Sequence, residues 1–170
     1  NTFINALDPS LMMKAIKNDI EIKNTINAHI KDGVAFTKFM HFLKTNIKTG
    51  QLSEISVSDY LEKERKKQNG FVDLSFNTIC AYKEHAAMMH YSATKNTDYH
   101  LETNGLILID SGGHYLEGTT DITRTISLGK ISQDEKKHFT LVLKAMINLS
   151  NAIFLEGCTG QNLDILARGP

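Results

Sequence analysis

The sequence predicts an α+β fold in which an antiparallel sheet in the middle of the chain is covered by long helices. Helical apolar spacing and helix-start signals fill residues 8 to 68 and the chain from 132 onward, while the stretch between shifts to period two with β-branched and aromatic residues. No internal repeat and no low-complexity linker interrupts this order of helices, strands and helices. A chain of 170 residues with 41% apolar composition is long enough to bury one core, so a single domain spanning residues 1 to 170 is expected.

Each element carries its own signal. Asp8 before Pro9 starts a short helix through about Ile16, because the aspartate oxygen caps free amides and proline's fixed φ suits the first helical position. Asn18 with Glu21 reads as a capping box opening a long amphipathic helix. Its apolar face is expected to carry Ile22, Ile26, Ile30, Val34, Phe39 and Leu43, with Gly50 as the stop. Ser56 with Asp59 predicts another helix over "VSDYLEKERKKQ" (57 to 68), whose charged side reads as a solvated face, and Asn69-Gly70 closes it. Strands are expected within "FVDLSFNTICAY" (71 to 82), "GLILID" (105 to 110) and "TTDITRTISLG" (119 to 129). Ser132 with Glu135 opens a helix running to Gly157, and Thr159 caps a final short one.

Composition narrows the function. Nineteen basic residues balance nineteen acidic ones, so no global field favours nucleic acid or an anionic membrane. The longest apolar runs, such as "GLILI" (105 to 109), are too short to span a bilayer, and "NTFINALDPS" lacks a basic-then-apolar leader, which predicts a cytoplasmic protein. Cys80 and Cys158 belong to no CxxC pair or Cys/His cluster and read as free buried thiols. The start at Asn1 and the stop at Pro170, soon after a helical pattern begins, suggest a fragment.

"IDSGGHYLEGTTDITRT" (109 to 125) holds the chemistry. If the strands around it pair as a hairpin turning between Tyr115 and Leu116, Asp110 opposes Asp121, Leu108 opposes Thr123 and Ile109 opposes Ile122. Opposed side chains share one face about 4.5 to 5.5 Å apart, and two ionised carboxylates at that separation repel unless a proton or cation lies between them. Hard oxygen donors so placed suit divalent cations, one or two. On spacing alone a second reading stays open, in which Asp110-Ser111-Gly112-Gly113 is an Asx-type turn. His90, in "AAMMHYSAT" (86 to 94), is a further candidate beside the alternative of a satisfied structural histidine; Met88 and Met89 read as core packing. The remaining histidines form no HxxxH pair.

"LILIDSGGHYLEGTTDITRTISLG" (106 to 129), with His90 in "MMHYSAT" twenty residues before its first aspartate, resembles the Xaa-Pro aminopeptidases, the aminopeptidase P group of pita-bread, creatinase-like metallopeptidases. The likeness extends to "KNDIEIKNTINAHIKDGVAFTKFMHFL" (17 to 43) and "SFNTICAY" (75 to 82), hence most of the chain. It implies the first half of a pita-bread fold and two divalent metal ions, usually manganese and sometimes cobalt or zinc. By position, Asp110 would chelate one metal and Asp121 would bridge both, and a metal-bridging water with a lowered pKa would supply hydroxide to the carbonyl before a proline. His90 matches the histidine that contacts substrate and helps move protons. Thr123 would orient the bridging carboxylate or water. Arg124, on the opposite face, would be structural. Peptides with proline at the second position are the implied substrates, and a homodimer the implied assembly.

The sequence also departs from that pattern. A histidine segment of the GTGHGVG type and two later glutamates complete the family's ligand set, and the chain ends at Pro170 before any of them. The expectation is therefore the N-terminal portion of a catalytic domain that alone binds metal weakly and hydrolyses little peptide. Glu84-His85 stands where relatives carry a small or amide-bearing loop and reads as an exposed loop change. Two alternatives accompany the aminopeptidase: an Xaa-Pro dipeptidase, against which the "GTTDITRT" wording weighs, and a non-catalytic peptide-binding module, against which the two retained aspartates weigh.

Overall fold

A computed structural model describes Ala6 and residues 8 to 170. The expectation that no leader precedes the first helix concerns mostly residues 1 to 5 and 7, which lie outside the described residues. Helix α1 (Pro9–Ala15) starts as its sequence requires, with Asp8 Oδ1 accepting from Ser10 N at 2.9 Å. In α2 (Asp19–Asn46) the capping box is complete: Asn18 Oδ1 accepts from Ile20 N and Glu21 N, and Glu21 Oε2 accepts from Asn18 N. The inward face differs from expectation. Ala28, Asp32, Ala35, Phe36, Phe39 and Leu43 are buried, whereas Ile22, Ile26, Ile30 and Val34 are exposed. Small residues let α2 approach the rest of the fold closely, and a charge joins that face because it has a partner inside.

Helix α3 (Glu54–Lys66) begins three residues before the expected start. Ser53 is its N-cap, accepting from Ser56 N at 3.2 Å while Ser56 Oγ accepts from Ser53 N at 2.8 Å. Its charged side is not a solvated face throughout, since Glu54, Glu64 and Arg65 are buried. Buried charges cost heavily unless paired, and each of these is: Glu64 with Lys67, Arg65 with Asp32, and Glu54 with a set of donors described below.

Six strands follow: β1 (Phe71–Leu74), β2 (Ile79–Tyr82), β3 (Leu106–Ser111), β4 (Gly113–Tyr115), β5 (Gly118–Thr119) and β6 (Ile122–Ser127). They form two antiparallel three-stranded sheets, ordered β1-β4-β5 and β2-β3-β6. The stretches read as single strands at 71 to 82 and 119 to 129 are each divided between two elements. One long hairpin links the sheets, with β3 and β4 in one arm and β5 and β6 in the other. Phe36, Phe39, Leu43, Val57 and Leu61 from the helices meet Ile107, Ile109 and Ile126 from the sheet in one core. Burying each such side chain favours folding by about 1.5 to 3 kcal/mol, which makes this the dominant cohesive contact between layers.

Helix α4 (Gln133–Ser150) opens with the expected box at Ser132 and Glu135 but ends at Asn151, short of Gly157. The chain bends there, Ala152 N donating to Leu149 O, before α5 (Gly160–Arg168). These two helices pack on each other and contain no buried residue; Val142 and Met146 on α4, and Ile153 and Leu155 in the link between the helices, are exposed. No described helix is long and apolar enough to cross a membrane.

Candidate metal centre

Asp110 sits on the central strand of its sheet, flanked by Ile79 of β2 and Thr123 of β6. The hairpin register is two residues away from the expected one. Asp110 faces Thr123, Leu108 faces Thr125 and Ile109 faces Arg124, because the two-residue turn is Leu116-Glu117, between Tyr115 and Gly118. Asp121 precedes β6 and is therefore diagonal to Asp110 rather than opposite it. A two-residue slip preserves the alternation of a strand, so an extended chain continued back from β6 would put Asp121 on the face of Asp110. Thr120 is buried and Asp121 exposed, Ile122 is half-buried, and Thr123, Arg124 and Thr125 are all exposed. Diagonal neighbours lie about 7 to 8 Å apart at Cα, within reach of a shared cation for side chains leaning together.

Thr123 Oγ1 donates to Asp110 Oδ1 at 2.8 Å. The threonine is thus hydrogen-bonded to Asp110, whereas the sequence pointed to the bridging carboxylate of Asp121 or a water as its partner. Arg124, expected to pair beneath the strand, is instead exposed and forms no ion pair among the described residues, and its Nη1 donates to Thr123 O at 2.7 Å. Among the described residues neither Asp110 nor Asp121 forms an ion pair. Two carboxylates, one of them held by a hydroxyl and neither neutralised by the protein, are a donor set that fits a hard divalent cation. Among the described residues no group of three or more His, Cys, Asp or Glu side chains converges to hold a metal.

The residues between the aspartates build the frame. Ser111 ends β3 and Gly113 begins β4, so Asp110-Ser111-Gly112-Gly113 continues a hairpin arm and is not an Asx turn. Gly112 is required by close approach: a Cβ there would lie 2.0 Å from Thr120 O and 2.3 Å from Ser75 Oγ. Around it Thr120 Oγ1 accepts from Gly113 N at 3.0 Å, and Ser75 Oγ donates to Thr120 O at 3.1 Å. The strand carrying Asp110 is thereby latched to the residue beside Asp121.

Beneath that strand lies a buried ionic network that sequence reasoning missed. Arg65 donates from Nε to Asp32 Oδ1 at 2.6 Å, and from Nη2 to Asp32 Oδ2 at 3.1 Å and to Ser111 Oγ at 3.0 Å. Tyr115 completes it, its hydroxyl donating to Asp32 Oδ1 at 3.0 Å. Desolvation first, and the charge of Asp32 second, push the Tyr115 hydroxyl well above its ordinary range, so it serves as a donor at all working pH values. At the hairpin tip Glu117 pairs with Lys31. The network pins the strand to α2 and α3 from the face opposite the aspartates. Its only sequence signal is a lone aspartate on an otherwise apolar helix face.

His90 lies outside the sheet, exposed, with φ 55°. A non-glycine residue in the left-handed region costs roughly 1 to 2 kcal/mol, although histidine is among those that tolerate it. Met88 and Met89 beside it are exposed rather than packed in the core. His85 is buried, its Nδ1–H donating to Glu54 Oε1 at 2.9 Å, which overturns its reading as an exposed loop change; Glu84 is the exposed member, accepting from Tyr99 OH. Of the cysteines, Cys80 is buried as expected, whereas Cys158 is exposed because the segment after α4 packs against little.

Comparisons with known proteins bear on the family and the fold. Residues 23 to 170 match the model of metallopeptidase family M24. A probable Xaa-Pro aminopeptidase P from Paracoccidioides brasiliensis is 46% identical over 157 residues, which are 91% of this chain and 26% of that relative. The chain thus spans about a quarter of the length of such curated relatives. An X-prolyl aminopeptidase from Caenorhabditis elegans, described as a cytosolic enzyme with a di-nuclear active site, superimposes with a TM-score of 0.88 at 37% identity, over 95% of this chain and 27% of that one. An Xaa-Pro dipeptidase from Bacillus anthracis gives 0.77 at 33% identity, over 93% of this chain and 42% of that one. The mixed architecture of helices and antiparallel sheet is that of the pita-bread aminopeptidases. This chain belongs to metallopeptidase family M24.

Proposed function

We propose that the chain is the N-terminal portion of the catalytic domain of an Xaa-Pro aminopeptidase, which removes the N-terminal residue from peptides with proline second. What supports this is the pair Asp110, on β3, and Asp121, just before β6, neither of them in an ion pair among the described residues, in a member of a metallopeptidase family. Asp110 would hold one of two divalent ions and Asp121 both, with manganese foremost and cobalt or zinc as substitutes. Bound there, the metals would supply Lewis acidity and an acidified water. Thr123 steadies Asp110 through the hydroxyl bond that it donates. His90, exposed on its loop, would contact the substrate and assist proton movement at the scissile bond. The ligands still needed would come from sequence beyond these residues, so the 170-residue chain alone would bind metal weakly and hydrolyse little. A cytosolic location and a homodimer accompany the proposal by analogy with the nematode relative and the family.

Likeness to the Bacillus dipeptidase supports a second reading, in which only dipeptides are cleaved. Manganese-loaded full-length protein assayed on a dipeptide and a tripeptide, each with proline second, separates the two. Cleavage of the tripeptide, lost in Asp110→Asn and Asp121→Asn together with bound metal, supports the aminopeptidase. Cleavage of the dipeptide alone supports the rival. Hydrolysis of neither by metal-loaded protein contradicts both.

A further inference from the structure

We propose that Glu54 is a positioning residue for His90, acting through Tyr91 and His85, which flank that histidine on its loop. The inference rests on the reading of His90 as the substrate-contacting histidine. Glu54, the first residue of α3, is wholly buried, and its carboxylate accepts four donors, one from the end of β2 and three from the segment that follows it. Tyr82 N donates to Oε1 at 2.7 Å, His85 Nδ1–H to Oε1 at 2.9 Å, Tyr91 OH to Oε2 at 2.9 Å and Tyr99 N to Oε2 at 3.0 Å. These donors lie before, on either side of, and after His90 in the chain.

A purely structural role for Glu54 would be to close the loop, yet the loop is already closed by other bonds. Glu54 N donates to Tyr99 O, Leu101 N to Leu52 O, and Ile55 N to Asp98 Oδ1. The Tyr91 and His85 bonds add something different: they fix the residue next to His90 and the one five positions before it. His85 also stacks on Tyr99, centroids 3.8 Å apart, with Tyr91 at 4.4 Å, so one aromatic cluster seats both flanks. His90 has φ 55°, a conformation that persists only where the surroundings determine it, and its exposed side chain has no bonded partner of its own among the described residues. Burial above all pushes the Tyr91 hydroxyl up to about 12, so at neutral pH it stays protonated, its one proton lying between Glu54 Oε2 at 2.9 Å and Thr97 O at 3.2 Å. A small error in the placing of a group that meets substrate is costly to rate, and here that placing is delegated to a carboxylate on a rigid helix.

The test is a double-mutant cycle in the manganese-loaded full-length enzyme, using Tyr91→Phe, which keeps the ring, with His90→Ala and the double variant. Tyr91→Phe should lower kcat on the order of tenfold while KM and bound metal stay near wild type. In the His90→Ala background the same change should cost less than about twofold, the two effects being one. Glu54→Gln should give the same pattern where it folds. Multiplying effects, or a Tyr91→Phe enzyme with unchanged kcat, would overturn the positioning role alone. Wild-type activity in His90→Ala would overturn the reading of His90 itself.

Discussion

Replacing Gly112 by alanine tests whether the two aspartates are held by the close crossing of their hairpin arms. The added methyl would stand 2.0 Å from Thr120 O, 2.9 Å from Thr120 C and 2.3 Å from Ser75 Oγ. Non-bonded heavy atoms settle at roughly 3.5 Å, so the arms must part by on the order of 1 Å or more. Ser75 can rotate away, but Thr120 is backbone and is the residue before Asp121. Parting also strains the bonds from Ser75 N to Gly112 O at 3.2 Å and from Thr120 N to Gly113 O at 2.9 Å. Overpacking of this kind costs about 1 to 3 kcal/mol, and weakened hydrogen bonds about 1 kcal/mol each. Metal constellations tolerate errors of only about 0.5 Å, so manganese affinity should fall at least tenfold even where the fold survives. Calorimetric titration of manganese into the full-length protein, beside far-ultraviolet circular dichroism, reads both consequences. Gly113→Ala is the internal control, because its methyl would meet only side chains, Tyr115 and Phe71, at 3.1 and 3.2 Å. Wild-type affinity and melting temperature in Gly112→Ala would refute the reasoning.

Further outcomes follow from the same structure. Thr123→Val removes the donor to Asp110 and should weaken manganese binding by about 10- to 100-fold with little change in unfolding midpoint; unchanged affinity would show that the hydroxyl orients nothing of consequence. Asp32→Ala strands the buried Arg65 charge and should destabilise the protein by about 3 to 5 kcal/mol in urea unfolding, a loss below 1 kcal/mol contradicting the network's role. Burial pushes the Cys80 thiol well up, so peptide mapping after iodoacetamide at pH 8 should find it unmodified in native protein and alkylated after denaturation; native alkylation would contradict the packing. The Lys67 bond holds the Glu64 carboxyl below its ordinary 4.5, so its stabilising contribution is full above that pH and is lost as pH falls through the depressed native value. The urea-stability gap between wild type and Glu64→Gln should narrow over that acid range, and a gap independent of pH would contradict the assignment.

What could be read from sequence was what is local. The boxes at Asn18 with Glu21 and at Ser132 with Glu135, and the Asp8-Pro9 start, involve neighbours no more than three residues apart and form as expected. The expected shared face of Asp110 and Asp121 rests on strand alternation, which a register error of two residues leaves intact. The register itself was not legible, because Leu116-Glu117 carries no turn glycine or asparagine and the tip is tied down by Lys31 from a distant helix. The inward face of α2 was misjudged for a related reason. Its isoleucines outweigh its alanines in any apolar count, but Asp32 is drawn inside by Arg65, 33 residues away. Glu54 and His85 are likewise 31 residues apart, so their bond has no signature in either segment. The candidate residues were thus nameable from a resemblance, while the groups that hold them needed the fold.

The most direct measurement is an anomalous difference map at the manganese edge from crystals of the full-length protein grown with manganese. Two peaks should appear on the face shared by Asp110 and Asp121, with Asp110 touching one and Asp121 both, at oxygen distances of about 2.0 to 2.6 Å. Manganese bound elsewhere, or no peak near these carboxylates in protein that hydrolyses a penultimate-proline peptide, would contradict the account.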